Sequence, residues 1–193
     1  SFPEIPKGYD FDFINPDALM SEISAEEGKA VTSCSKEYKV ICLDPNCKRM
    51  SLNVLRKIAH LAGRGVIICG QVPEVPASMH DSTTEFESIV NDIWFSGRPN
   101  VFGGKWLEEV LKTSGISPDW TILKGCDIRV VHRALTDGHI YWVNSPIFEP
   151  QCAEISLRVS GLKPQKWNPI NGEVSDLSYR FDGERTVVSL EFE

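Results

Sequence analysis

The sequence predicts an α/β layer of the flavodoxin-like kind followed by a partial antiparallel β-sandwich. Three observations carry this. Strand, helix and strand follow one another between Tyr38 and Cys69. After Gly125 the hydrophobic period switches from helical to strict alternation. Two Asp-Gly dipeptides, Asp137-Gly138 and Asp182-Gly183, sit between alternating segments, as hairpin turns do. The chain is thereby divided into a lead-in over residues 1–37, an α/β domain over 38–124 and a β-sandwich-like domain over 125–193 that is short of a closing strand.

In the lead-in, Pro3, Pro6 and Gly8 break the start, and Ser21 to Ser35 is polar and poorly periodic. One short helix is expected there, with Asn15 as N-cap, Pro16 at the first helical position, Asp17 in the first turn, then Ala18, Leu19 and Met20. The segment is expected to cling to something upstream. Tyr38 to Asp44 is a short β-branched run closed by Pro45-Asn46-Cys47, the pattern of a buried strand. Ser51 then caps a helix with Leu55, Ile58, Ala59 and Ala62 on one face and Arg56, Lys57 and His60 on the other, ended by Gly63 and Gly65. Val66 to Cys69 is the next strand, parallel to the first because such a crossover demands it. A second helix starts near Thr83, with Phe86, Ile89, Val90 and Ile93 inward. A third starts near Lys105, with Leu107, Val110 and Leu111 inward and Glu108 to Lys112 as an i, i+4 pair. Asn100-Val101-Phe102 between them is an edge strand.

In the β half, Cys126 to Ala134 and His139 to Asn144 flank Asp137-Gly138. A two-residue type I′ turn there pairs Arg133 with Trp142 and Leu135 with Ile140 on one face, and Ala134 with Tyr141 and His132 with Val143 on the other. Cys152 to Val159 is a further strand. A turn at Asp182-Gly183 pairs Tyr179 with Thr186 and Leu177 with Val188. An open sheet of this size leaves an apolar face that needs cover.

The 193 residues, 41% hydrophobic and 24% charged, suffice for one domain or two small ones and do not have the composition of a disordered chain. A net charge of -7 with no run of Lys or Arg argues against nucleic acid as a partner. The apolar runs Val66 to Cys69 and Ile140 to Val143 fall far short of the roughly 20 residues that span a bilayer, so membrane insertion is not expected. The start has neither the basic residues nor the apolar centre of a secretory signal and no initiator Met, as expected for part of a longer polypeptide. Six cysteines contain no Cys-x-x-Cys pair, and Cys42 and Cys69 fall inside buried strands. Free thiols acting as small hydrophobes are expected rather than a disulfide framework.

For chemistry, Cys69-Gly70-Gln71 ends a strand, where α/β folds place their sites. A nucleophilic Cys needs a base and an elbow leading into a helix, but Val72-Pro73-Glu74-Val75-Pro76 forbids an immediate helix. Cys69 is therefore expected to be buried and structural. His60, His80, His132 and His139 lack metal-site spacing, so neither metal nor cofactor is expected. His80-Asp81 reads as a solvated loop. His132 and Arg133 point to opposite faces of one strand, His132 inward beside Val130 and Val143. Arg133 with Trp142 forms a cation–π pair or part of an interface, which makes His132, Arg133 and Trp142 the candidate binding or interface residues. Gly103-Gly104 ahead of the third helix leaves room for an anion or simply meets the needs of a turn.

Several stretches in order resemble a family. They are Tyr9-Asp10-Phe11-Asp12-Phe13-Ile14-Asn15 with Ala18-Leu19, the strand Tyr38 to Asp44 followed by Met50, and Gly63 to Pro76 with its Gly70-x-x-Pro73-x-x-Pro76 ending. His132-Arg133, Asp137 to Asn144, and Gly161-x-x-Pro164-x-x-Trp167-Asn168-Pro169-x-Asn171-Gly172 follow. Together they resemble the C-terminal, post-barrel region of α-L-rhamnosidase-like glycoside hydrolases of family 106. The resemblance implies a glutamine-amidotransferase-like domain of class I type, as found beside β-galactosidase barrels, then β-sandwich modules. It also implies catalytic acids on a preceding (β/α)8 barrel, so it assigns no catalytic residue to this chain. It implies a location in the periplasm or outside the cell.

Three functions follow for comparison. The first is a non-catalytic accessory part of a glycan-degrading enzyme that packs against the barrel. The second is a stand-alone hydrolase or amidotransferase using Cys69. The third is a carbohydrate-binding module using exposed aromatics such as Trp142 or Trp167.

Overall fold

The computed structural model describes residues 5–147 and 149–192. They form two compact units, one containing Phe11–Ile116, the other joining Lys7–Asp10 to Ser117–Glu193.

The first unit opens with α1 (Pro16–Glu22), where the Asn15 side chain accepts the Ala18 N–H at 2.8 Å and Pro16 occupies a position that needs no donor. The stretch expected to be featureless is a three-stranded antiparallel sheet of β1 (Ile23–Glu26), β2 (Lys29–Thr32) and β3 (Glu37–Tyr38). Its first turn is Glu27-Gly28, with φ of 48° and 76°. Both are positive, as a type I′ turn requires, but Glu is not a residue that advertises this conformation, so the hairpin leaves no mark in the sequence.

Then come β4 (Val40–Leu43), β5 (Arg49–Met50), α2 (Leu52–Gly63), β6 (Ile67–Gly70), β7 (Val75–Pro76), α3 (Thr83–Val90), β8 (Val101–Gly103) and α4 (Leu107–Thr113). Strands β4, β6 and β8 form a parallel sheet in that order, with β8 at the edge as expected, and β5 pairs with β7. The strand–helix–strand reading is therefore correct. Helix α2 begins where Ser51 Oγ accepts the Val54 N–H and Asp81 Oδ2 accepts the Leu52 N–H at 3.0 Å, so two donors without helical partners are satisfied. It ends in a Schellman motif, Gly65 N–H to Ala62 O at 3.0 Å and Val66 N–H to Leu61 O at 3.1 Å. Leu55, Ile58 and Leu61 are fully buried in one core with Ile68, Phe86 and Ile93. Each such side chain stabilises the fold by about 1.5–3 kcal/mol relative to exposure. Helix α3 runs on through a wider π turn over Asn91–Phe95, which keeps Ile93 on the buried side. An i, i+4 ion pair joins Lys105, just ahead of α4, to Glu109 in its first turn.

The second unit holds β9 (Trp120–Gly125), β10 (Arg129–Ala134), β11 (His139–Asn144), β12 (Gln151–Leu157), β13 (Gln165–Trp167), β14 (Val174–Asp176), β15 (Tyr179–Asp182) and β16 (Arg185–Phe192). A four-stranded antiparallel sheet has the order β15-β16-β12-β9, while β10–β11 and β13–β14 are two-stranded ribbons. The inward residues of β10–β11, Val130, Tyr141 and Val143, pack on a core of Trp120, Ile155, Leu157 and Val188. This cover hides the apolar face that the sheet would otherwise expose.

Both hairpin registers differ from expectation. In β10–β11 the pairs are Arg133 with Ile140, His132 with Tyr141 and Val131 with Trp142. Leu135 N–H bonds to Gly138 O at 2.8 Å, so the centre of the turn is Thr136-Asp137, and neither residue has positive φ. Gly138 occupies the fourth position of the turn, where Gly is also favoured, so the dipeptide marks the right turn one step out of place. In β15–β16, Asp182 pairs with Arg185 around Gly183-Glu184, and Tyr179 meets Val188 instead of Thr186. Each correction moves the partners by two residues, so every side chain keeps its expected face.

Residues 7–10 are fixed to the second unit by the Asp119 N–H bonding to Gly8 O at 2.7 Å and by the Lys7–Asp127 ion pair. Gly8 has φ of +86°, and a Cβ there would lie 2.2 Å from Trp120 O. Among the described residues no helix is long and apolar enough to cross a membrane.

Candidate functional site

Strand β10 presents His132 and Arg133 to opposite sides. On the inner side His132 is the centre of a polar cluster. Its ring stacks on Tyr141, 4.1 Å between centroids and 2° from parallel, because the two residues are cross-strand partners. Its Nδ1 lies 2.9 Å from Asp119 Oδ2, with both side chains about 15% exposed, and its Nε2 lies 2.9 Å from His139 Nδ1. With the Asp119 carboxylate at Nδ1, His132 keeps its proton there, so Nε2 accepts from His139 Nδ1–H. The Nδ1–H is not aimed squarely at Asp119 Oδ2, and that buried oxygen receives no aligned hydrogen bond among the described residues. The attraction there is mainly electrostatic.

Two arginines complete the surroundings. Arg158 Nη2 stands 3.4 Å from Asp119 Oδ1. Arg185 donates to Ser156 Oγ at 2.7 Å and to the carbonyls of Ser156 and Pro118 at 3.0 Å, joining β16 to β12 and to the entry of β9. Burial first, and the Asp119 charge second, pushes the Tyr141 phenol above its ordinary range. The arrangement can hold a proton between imidazoles and fix ring orientation. Among the described residues the hydrogen-bond and ion-pair partners of His132 are His139 and Asp119, neither of which is a hydroxyl or thiol nucleophile.

On the outer side Arg133, Ile140, Trp142 and Val131 share one face, with Trp142 55% and Val131 63% exposed. Trp142 is opposite Val131, so the expected Arg133–Trp142 cross-strand pair is replaced, and Arg133 is exposed beside Ile140. His132, Arg133 and Trp142 therefore do not form one site, because strand alternation separates His132 from the other two. Asp119 was not legible as the partner of His132, nor Arg158 as the partner of Asp119, since they meet through tertiary packing of distant segments.

The other sequence candidates lie elsewhere. Cys69 is fully buried at the end of β6. A hydrogen bond to Cys42 first, and burial second, pushes its thiol far above the ordinary range, the reverse of what a nucleophile that opens a reaction on substrate needs. Asp81 caps α2 rather than lying free beside His80. Helix α4 after Gly103-Gly104 carries Glu108 and Glu109 in its first turn, and their charge opposes an anion there. Among the described residues no group of three or more His, Cys, Asp or Glu side chains could hold a metal ion. A cavity of about 260 Å³ in the first unit is lined mainly by apolar residues including Phe13, Ile14, Leu19, Ile23 and Ile41.

The model of glycoside hydrolase family 106, described as α-L-rhamnosidase, matches residues 1–181. The chain belongs to this family. A solved structure of a rhamnosidase from Novosphingobium sp. PP1Y is similar over 98% of the chain, with a TM-score of 0.88 and 29% identity. The chain spans 19% of that rhamnosidase's length. No curated protein matches the chain. The mixed architecture of small sheets with few helices thus matches one part of that rhamnosidase.

Proposed function

We propose that this chain is a non-catalytic accessory part of an α-L-rhamnosidase-type glycoside hydrolase. In this reading residues 1–37 lead in from an upstream (β/α)8 barrel that carries the catalytic acids, residues 38–124 form a flavodoxin-like, glutamine-amidotransferase-like layer, and residues 125–193 form part of a β-sandwich. The observation that supports it best is the pairing of near-complete coverage of this chain with coverage of only 19% of the rhamnosidase it resembles. The parallel β4-β6-β8 sheet, with a β6 end that holds a buried thiol of raised pKa, fits an amidotransferase-like layer without the activity. The outer face of β10–β11, with Arg133, Trp142 and Val131 exposed, is the surface assigned to docking on the remainder of the polypeptide. There the forked guanidinium of Arg133 can take backbone carbonyls or carboxylates.

The test is hydrolysis of an aryl α-L-rhamnoside by the pure chain, compared with the same chain joined to the rest of its polypeptide. Release of the aryl group only by the joined form is expected. Release by the isolated chain above a buffer control overturns the proposal.

A further inference from the structure

Cys42 and Cys69 face each other on the neighbouring parallel strands β4 and β6. Both point away from the side carrying Ile41, Ile68 and Val101, which packs in the core with α2 and α3. Cys69 is fully buried and Cys42 is partly exposed, so only one of the two can be reached from solvent. We propose that Cys42 and Cys69 are a redox site: a thiol pair that a low-molecular-weight disulfide such as glutathione disulfide converts to a cystine joining β4 to β6.

Backbone spacing permits the bond. Neighbouring strands stand about 4.8 Å apart, inside the roughly 4.4–6.8 Å between Cα atoms that disulfides span. In a parallel pair the two Cβ atoms stand side by side rather than converging, so the cystine closes under some strain and is readily reduced again. The two thiols also differ in the way an exchange requires. Cys42 is partly exposed, so the reagent meets it first, while Cys69 beside it is fully buried and reaches only Cys42. Cys42 is therefore the attacking thiolate and Cys69 the resolving thiol.

The steps balance. Cys42 Sγ⁻ attacks one sulfur of the reagent disulfide, the reagent S–S bond breaks, and one reagent thiolate leaves and takes a proton. Cys69 then passes its proton to the departing reagent thiolate as its sulfur attacks Cys42 Sγ. The mixed disulfide breaks and the second reagent thiolate leaves and is protonated. Two electrons pass from the pair to the reagent, which ends as two thiols.

The experiment treats the full chain with excess glutathione disulfide, quenches with an alkylating agent and maps peptides by mass spectrometry. A Cys42–Cys69 cystine peptide lighter by two hydrogens, abolished by dithiothreitol, is expected, while exposed Cys34 carries a glutathione adduct instead. In Cys69→Ala, Cys42 should accumulate the mixed disulfide because no thiol resolves it. A stable glutathione adduct on Cys42 of the unsubstituted chain overturns the proposal, as does full alkylation of both cysteines after Cys34 has exchanged. The peptide map needs no variant, so a poorly folding Cys69→Ala leaves the test intact.

Discussion

Replacing His132 by Ala removes the ring on which Tyr141 stacks and the imidazole between Asp119 and His139. Stacking contributes about 0.5–1.5 kcal/mol beyond area burial. A contact to a charged group contributes about 1.5–3 kcal/mol when well aligned, and the lower half applies here because the Nδ1–H is off-axis. Asp119 would keep the Arg158 contact, at 3.4 Å, for a carboxylate that is about 15% exposed. The sum predicts a loss of about 2–4 kcal/mol from the second unit. His139→Ala should cost only about 0.5–1.5 kcal/mol, since it removes one hydrogen bond at an exposed position. His132→Phe should fall between, keeping the stack and losing the polar contacts. Amide hydrogen exchange across β10–β11 separates this unit from the other and reads each variant in turn. Equal protection in His132→Ala and His139→Ala would refute the assignment of His132 as the centre of the cluster.

Four further outcomes follow. Gly8→Ala should destabilise the second unit by more than the roughly 1–3 kcal/mol of a strained φ alone, because its Cβ would meet Trp120 O; urea unfolding followed by tryptophan fluorescence measures it. Leu55→Ala should cost the first unit about 2–5 kcal/mol, since its side chain is fully buried on α2, and hydrogen exchange in β4 and β6 reports the loss. Glu27→Asn should stabilise the β1–β2 hairpin by about 0.5–1 kcal/mol by suiting the positive φ of the turn, seen as a higher thermal midpoint. Hydrogen bonds from Lys36 and then Tyr38 hold the Asp12 carboxyl below its ordinary value, so its contribution is present above the unfolded pKa and fades as pH falls through the folded one. Asp12→Asn should therefore be less stable than the unsubstituted chain at pH 7, with the gap closing below about pH 3.9.

What the sequence disclosed was local. Asn15, Ser51 and the apolar spacing of α2 announce themselves because caps and helical faces are set within a few residues. The β1–β2 hairpin stayed hidden because Glu27 adopts a conformation that its residue type does not signal. The hairpin registers were off by two because Gly serves more than one position in a turn, and only the backbone shows which one is used. The faces survived the error, so His132 was correctly placed beside Val130 and Val143. Its real partner, Asp119 on the entry to β9, which also pairs with Arg158 after β12, meets it only through folding of distant segments, and no spacing rule encodes that.

The assignment of residues 7–10 to the same unit as 117–193 makes that unit discontinuous, with residues 11–116 as an insertion within it. During synthesis the insertion can collapse as soon as it has emerged, whereas the short N-terminal stretch must wait for the Asp119 amide and the Asp127 carboxylate to be made before it can bind. An expression boundary drawn just before Ser117 would therefore yield a β unit lacking the carbonyl of Gly8 and the charge of Lys7. A deletion variant that joins residues 7–10 directly to Ser117, leaving out residues 11–116, would make the unit continuous, and it is the form in which to study this part in isolation.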